Sequence, residues 1–142
     1  MLCLVSQSND PYFNLATEEH FLKNTDEELF MLYVNKPSIV SGKHQNILGE
    51  INLPWAIENN IGLARRLSGG GTVYHDNGNL NFSFIFNCPN LENISYRRFA
   101  MPIIQTIKYL GIESEFSGRN DLVIKNRKIS GVAMHIYKKR VL

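Results

Sequence analysis

The chain has 142 residues, a length that suits a single domain with one sizeable core. Its composition, 44% hydrophobic and 20% charged, is ordinary for a globular protein and excludes a disordered or fibrous chain. The net charge of +2 is too small to indicate a nucleic-acid partner. We therefore expect the basic cluster at residues 138–140 to be a solvated surface.

The sequence also bears on the compartment. No apolar run is long enough to cross a bilayer, and the first residues lack the pattern of a signal peptide. Cys3 and Cys88 show neither metal-ligand spacing nor a disulfide framework, so each is expected to be a small buried apolar residue. These features favour a cytoplasmic protein with no membrane partner.

Periodicity and turn residues predict the elements in chain order. Strands are predicted over residues 2–6, 29–35, 39–41, 63–67, 72–75, 80–86, 121–124 and 128–137. Helices are predicted over residues 12–23, 54–60 and 96–110. No repeat or linker separates them, so we predict one α+β domain over residues 1–142, a mixed sheet packed with helices.

Several boundaries have a local physical reason. Asp10 followed by Pro11 predicts a helix start, and Leu15, Ala16 and Leu22 are expected to face inward from that helix. Pro102 should kink the third helix or mark its true start. The Asp-Asn-Gly sequence at residues 76–78 is a hairpin signal. The strand that follows it has one strongly apolar face, formed by Leu80, Phe82, Phe84 and Phe86.

The first candidate site is the segment Arg65-Arg66-Leu67-Ser68-Gly69-Gly70-Gly71. Three consecutive glycines carry no Cβ that would keep a ligand away from the backbone, and their amides can converge on a phosphate. An adjacent arginine can add forked donors. The spacing matches neither a P-loop nor the dinucleotide fingerprint. The alternative is a flexible hairpin loop, and the residues alone leave both interpretations open.

The second candidate site is Lys128-Ile129-Ser130-Gly131. Lys128 is predicted to open a strand and to share its face with Val132, Met134 and Ile136. A lysine beside an apolar face loses hydration and needs an anionic partner, so it could hold a carboxylate and a phosphate together. The alternative is that its side chain extends to water.

Two further positions have a functional and an ordinary interpretation. Asn120 and Asp121 precede a strand and could contact a nucleotide or a magnesium ion, although both residues also favour turns. His75 ends a strand, where a histidine with satisfied hydrogen bonds is favoured over a base or a ligand. No Ser/His/Asp arrangement and no metal-ligand cluster can be read from the spacing.

Together these segments resemble the ordered motifs of the lipoate–protein ligase A family. Residues 65–81 resemble its signature: paired Arg, Ser-Gly-Gly-Gly, His-Asp, Gly-Asn and a following Asn. Gly118-Arg119-Asn120-Asp121-Leu122 and Lys128-Ile129-Ser130-Gly131 resemble the next two motifs. Upstream, the resemblance includes Gly42 with Gln45-Asn46 and the helix carrying Asn14, Glu18 and Glu19.

The resemblance implies the fold and the reaction. The fold would be the mixed, mainly antiparallel sheet with helices of the biotin and lipoate protein ligases. The family uses ATP with Mg²⁺ to convert lipoate to lipoyl-AMP, then passes the lipoyl group to a lysine of a lipoyl domain. Its acceptors are E2 subunits of 2-oxoacid dehydrogenases and the glycine cleavage H protein.

The resemblance also assigns site residues. Lys128 would be the catalytic residue, bridging the lipoate carboxylate and the α-phosphate, and Asp121 would be a magnesium ligand. The ATP and lipoate site would be formed by Arg66, Ser68, Gly69, Gly70, Gly71, Thr72, Val73, Tyr74, His75, Asn120, Asp121, Lys128 and Gly131.

Family members are longer than this chain, which ends at Leu142. We expect an incomplete catalytic domain, weakly active or inactive without a C-terminal part or an accessory chain. One alternative is an octanoyltransferase of the same superfamily, which needs no ATP. Another is a non-catalytic module that binds lipoate or lipoyl-AMP.

Overall fold

The largest sheet is built around an antiparallel pair in this computed structural model, which describes residues 1–90, 94–118 and 120–142. The pair consists of β2 (Leu29–Val34) and β6 (Leu80–Asn87). The sheet is completed by β1 (Leu2–Val5), which runs parallel to β2, and by β11 (Arg140–Val141) and β10 (Ile136–Tyr137). Its strand order is β1-β2-β6-β11-β10.

A second sheet presents the glycine-rich segment. Its central strand β3 (Ser38–Ser41) runs parallel to β4 (Gly62–Arg65) and antiparallel to β5 (Val73–His75). The glycines therefore lie in the connection between the two outer strands. Both sheets belong to one compact unit, Met1–Pro89 with His135–Leu142, which also contains α1 (Pro11–Asn24), α2 (Ile47–Glu50) and α3 (Leu53–Glu58).

The other compact unit, Asn90–Met134, contains one long helix and three strands among the described residues. These are α4 (Tyr96–Tyr109), β7 (Glu115–Ser117), β8 (Asp121–Ile124) and β9 (Arg127–Gly131). The strands form an antiparallel sheet in the order β7-β8-β9. The predicted α+β class with mixed, mainly antiparallel sheets is confirmed. No described helix combines the length and apolarity needed to cross a membrane.

Helix α1 begins as predicted but buries a different face. The Tyr12 amide donates to Asp10 Oδ1 at 2.8 Å, and Pro11 occupies the first turn. The buried positions include Asn14, Glu18 and Leu22, which are spaced by four residues and therefore share one side of the helix. The prediction for Leu22 is confirmed, whereas Leu15 and Ala16 line an open cleft beside β4. The prediction was wrong because it took polar residues to face water, whereas Asn14 and Glu18 have buried hydrogen-bond partners.

Strand β6 departs from its prediction in two ways. The turn at residues 76–79 forms as expected, but β5 and β6 join different sheets, so it does not close a hairpin. The alternation is also present, yet the most buried residues are Ser83 and Ile85, opposite the phenylalanines. Ile85 joins the core cluster of Leu22, Leu29, Met31 and Tyr33, which packs against α1.

The last predicted strand is wrong in extent. Residues 128–137 do not form one strand, because β9 ends at Gly131 and β10 begins at Ile136. Lys128 therefore does not share a strand face with Val132, Met134 and Ile136. Helix α4 runs through Pro102, which excludes Pro102 as its start, and it ends before Gly111 as predicted.

Two expectations about exposure are wrong for one residue each. Lys138 and Lys139 are exposed as expected. Arg140, in contrast, is 8% exposed and donates to the carbonyl oxygens of Phe21, Leu22, Thr25 and Glu27 near the end of α1. Cys3 is exposed rather than buried, because it lies on the edge strand β1.

Candidate functional site

Residues 68–71, named here the glycine turn, are organised around one guanidinium group. Arg66 donates from Nη2 to the carbonyl oxygens of Gly69 at 2.7 Å and Gly71 at 2.8 Å. It donates from Nη1 to the carbonyl oxygen of Val40 at 3.1 Å. The side chain therefore draws the turn carbonyls toward itself and connects them to strand β3.

A second arginine fixes the loop that packs against this turn. Arg65 Nη1 donates to the carbonyl oxygens of Gly42 and Gln45, each at 2.9 Å. A Cβ on Gly42 would lie 2.0 Å from the Gly70 carbonyl oxygen, so only glycine permits this approach. Gly70 itself has a φ of +95°, a backbone angle that residues with a side chain rarely adopt. The two backbones are in direct contact, which is unlike a flexible hairpin loop.

The N–H groups of Gly69, Gly70 and Gly71 donate to no acceptor within the described part of the chain. The buried Thr72 hydroxyl also lacks a partner there. Consecutive amide donors of this kind form a nest for an anion, and a missing Cβ allows close approach.

The other predicted residues of this segment differ in exposure. Ser68 is buried, and its carbonyl oxygen accepts from the Lys43 amide at 2.9 Å. Val73 and Tyr74 are exposed on β5. His75 Nδ1 lies 3.1 Å from Asn35 Nδ2, and Asn35 in turn bonds to Asn14 at 2.9 Å. His75 thus has a hydrogen-bond partner at Nδ1, and burial, followed by the charge of Arg66, lowers its pKa.

The sequence resemblance includes Glu18 but did not predict that its carboxyl group is buried. Glu18 Oε1 accepts hydrogen bonds from Tyr33 Oη at 2.9 Å and from Ser83 Oγ. Burial raises the pKa of Glu18, while these two donors and the charge of Arg66 act in the opposite direction. The four-residue spacing of Asn14, Glu18 and Leu22 was the available signal for this inward polar face.

Strands β8 and β9, named here the lysine hairpin, carry the second group of predicted residues. Their turn is Lys125-Asn126, both with positive φ, as a two-residue hairpin requires. Lys128 Nζ lies 2.8 Å from Asp121 Oδ1, and the lysine side chain is 59% exposed. Lys128 therefore extends to water, which is the alternative interpretation of the sequence, and it also has an anionic partner in this carboxylate.

Asn120 and Gly131 complete this group. Asn120 Nδ2 donates to the Val132 carbonyl oxygen at 2.8 Å, and the Val132 amide donates back to Asn120. A Cβ on Gly131 would lie 3.2 Å from Lys128 Nζ. Arg119 of the same motif lies outside the described residues.

The predicted site residues thus form two local groups. Arg66, Ser68 and residues 69–75 lie in the first compact unit, and Asn120, Asp121, Lys128 and Gly131 in the second. Asp121 fits a protein-held magnesium ion poorly, because an ammonium group already occupies its Oδ1 and repels a second cation. The described residues contain no group of three or more potential ligands among His, Cys, Asp and Glu.

Comparison with known proteins covers both units. Residues 10–142 match the lipoyl protein ligase A/B catalytic domain family. Lipoate-protein ligase LplJ of Bacillus subtilis is 49% identical over 99% of this chain. The chain spans 44% of the length of that relative.

Solved structures give the same result. The crystal structure of P. falciparum LipL1 with lipoate has a TM-score of 0.88 at 35% identity, covering 99% of this chain and 45% of that one. A lipoate-protein ligase A bound with ATP has a TM-score of 0.88 at 26% identity, covering 98% of this chain and 62% of that one. A bipartite lipoate protein ligase of Thermoplasma acidophilum, described with its E2 lipoyl domain, has a TM-score of 0.91 at 28% identity, covering 98% of this chain and 57% of that one. The chain belongs to the lipoyl protein ligase A/B catalytic domain family.

Proposed function

We propose that this chain is the catalytic part of an ATP-dependent lipoate–protein ligase. The observation that carries the proposal is the glycine turn, whose carbonyls bind Arg66 while its amides remain available to an anion. An adenylate-forming enzyme needs such donors, because a nucleotide phosphate gains charge as the acyl-phosphate bond forms. The relatives named lipoate-protein ligase, and the family structures bound to lipoate and to ATP, support this substrate pair.

In the proposed reaction, a lipoate carboxylate oxygen attacks the α-phosphorus of ATP and pyrophosphate leaves. The amine of an acceptor lysine then attacks the lipoyl carbonyl carbon, and AMP leaves. The amides of the glycine turn bind phosphate oxygens. Lys128 pairs with the carboxylate and the α-phosphate, which stabilises the charge in both steps. Magnesium bound to ATP would supply positive charge that neutralises the phosphates.

The remaining predicted residues have supporting roles in this proposal. Thr72, Val73, Tyr74 and His75 line the nucleotide and lipoate pocket beside the turn, and Asn120 contacts the adenylate. The acceptor is a lipoyl domain, of a 2-oxoacid dehydrogenase E2 subunit or of the H protein. The bipartite relative described with its E2 lipoyl domain supports such a partner. Since the chain spans less than half of LplJ, we propose that full turnover needs a further polypeptide segment.

The test is to mix the purified chain with ATP, magnesium, lipoate and a lipoyl domain, and to measure the intact mass of the domain. From the chain alone we expect at most a weak lipoyl adduct and weak pyrophosphate release, both of which require ATP. Adding the C-terminal segment of LplJ as a separate polypeptide should increase the rate. Acyl transfer from an acyl carrier protein without ATP would instead identify an octanoyltransferase. Binding of lipoyl-AMP without transfer under either condition would identify a non-catalytic binder.

A further inference from the structure

The lysine hairpin contains an irregularity that places Lys128 beside Asp121. Regular pairing joins Asp121 to Gly131 and Leu122 to Ser130, but the next pair joins Val123 to Lys128. One residue of β9, Ile129, is therefore extra, which is the arrangement of a β-bulge.

The bulge changes which face Lys128 occupies. Residues three apart in a regular strand point to opposite faces, because side chains alternate. The extra residue returns Lys128 to the face of Gly131 and of its partner Asp121. The contacts of the side chain agree, since Lys128 Nζ is 2.8 Å from Asp121 Oδ1. A Cβ on Gly131 would lie 3.2 Å from both Lys128 Cε and Nζ.

The arrangement gives the amine a direction that the surface alone would not impose. A lysine with 59% of its side chain exposed normally samples many rotamers. Here the lysine side chain passes over Gly131, and its ammonium group contacts the Asp121 carboxylate, whose side chain is only 35% exposed. An ammonium group has three N–H donors, so one bond to Asp121 leaves two for other oxygens.

We infer that Asp121 is a positioning residue for Lys128 and not a magnesium ligand. One N–H of the Lys128 ammonium group donates to Asp121, and the other two are directed at the lipoate carboxylate and the α-phosphate. This inference rests on the proposed function, in which Lys128 contacts both groups. It replaces the magnesium role predicted for Asp121 with a contact to the lysine.

The first experiment tests positioning without any ligand. NMR relaxation of the lysine Cε groups in the full chain should show an order parameter for Lys128 roughly twice that of Lys125, which lies in the exposed turn. Asp121→Ala should reduce the Lys128 value to that of Lys125, whereas Glu115→Ala on neighbouring β7 should not. A wild-type Lys128 as mobile as Lys125 would overturn the inference, whatever the activity of the chain.

The second experiment measures calorimetric affinity for a non-hydrolysable lipoyl-adenylate analogue. Asp121→Ala should weaken binding about tenfold, and Asp121→Asn, whose amide oxygen accepts the same hydrogen bond, about threefold or less. The loss of affinity in each variant should be the same in EDTA as in magnesium, because no metal contact is lost. An effect of Asp121→Ala that disappears in EDTA would identify a metal ligand and refute positioning. An ordered Lys128 in a chain that does not bind the analogue would instead refute the proposed function.

Discussion

The glycine turn and the lysine hairpin use positive charge in opposite ways. The guanidinium of Arg66 is half-buried and gives its hydrogen bonds to main-chain carbonyls. The ammonium of Lys128 is largely exposed and bonds to one carboxylate. Arginine therefore maintains the shape of the backbone, whereas the lysine keeps donors for a ligand. Substitutions that break the contacts holding the turn in shape should change stability and binding together, and substitutions of the lysine should change binding alone.

The largest loss of stability is expected for Gly42→Ala. The new Cβ would lie 2.0 Å from the Gly70 carbonyl oxygen, and a backbone contact cannot be relieved by a rotamer change. We expect unfolding free energy to fall by about 3 kcal/mol in urea titrations. Gly69→Ala is the control for stability, because no atom lies within 4 Å of its Cβ position. Equal stability of the two variants would contradict the close packing of loop and turn.

The next largest effect is expected for Arg66→Lys. A lysine keeps the charge but cannot reach the carbonyls of Val40, Gly69 and Gly71 with one planar fork. We expect a loss of about 2 kcal/mol and a weaker affinity for ATP, because the turn amides lose their fixed directions. Arg127→Lys, at an exposed position of the lysine hairpin, is the matched control. Unchanged ATP affinity in Arg66→Lys would show that the turn does not need this guanidinium.

A smaller effect is expected for Glu18→Gln, and it should depend on pH. Burial raises the pKa of Glu18 above its ordinary value of 4.5, so its contribution to stability is complete below that value. The contribution is lost as pH rises through the folded-state pKa, because the ionised form is the one that burial opposes. Relative to wild type, the variant should therefore gain stability between acidic and neutral pH.

Urea titrations from pH 4 to pH 8 would measure this change. Glu58→Gln is the control, since Glu58 is exposed. A difference between Glu18→Gln and wild type that stays constant across the range would show that Glu18 titrates alike in the folded and unfolded chain.

Local signals predicted much of the fold. Asp10 with Pro11 set the start of α1, and Gly111, with a φ of +80°, ends α4 where expected. These features depend on neighbouring residues only, so the sequence suffices for them. The motif residues of the sequence also indicate both candidate groups.

Features that depend on distant partners were not predicted. Arg140 is buried because carbonyl groups near the end of α1 accept its hydrogen bonds, over a hundred residues away in sequence. The pairing of β6 with β2 instead of β5 likewise depends on contacts between distant segments, which a local turn signal cannot predict. The bulge at Ile129 left no pattern in composition, although it decides which face Lys128 occupies.

The smallest effect on stability, and the sharpest test of the comparison, is expected for Lys128→Ala. Its ion pair with Asp121 is solvent-exposed, and such pairs contribute little, so unfolding free energy should change by no more than about 0.5 kcal/mol. Lipoyl-adenylate formation, measured as ATP-dependent pyrophosphate release, should nevertheless be lost, because the donors to carboxylate and phosphate are removed. Lys125→Ala, two residues before the start of β9, removes an exposed lysine of the same hairpin and should leave pyrophosphate release unchanged. Pyrophosphate release that survives Lys128→Ala would remove this lysine from the mechanism. A large loss of stability would show that the hairpin, like the glycine turn, depends on its cation for shape.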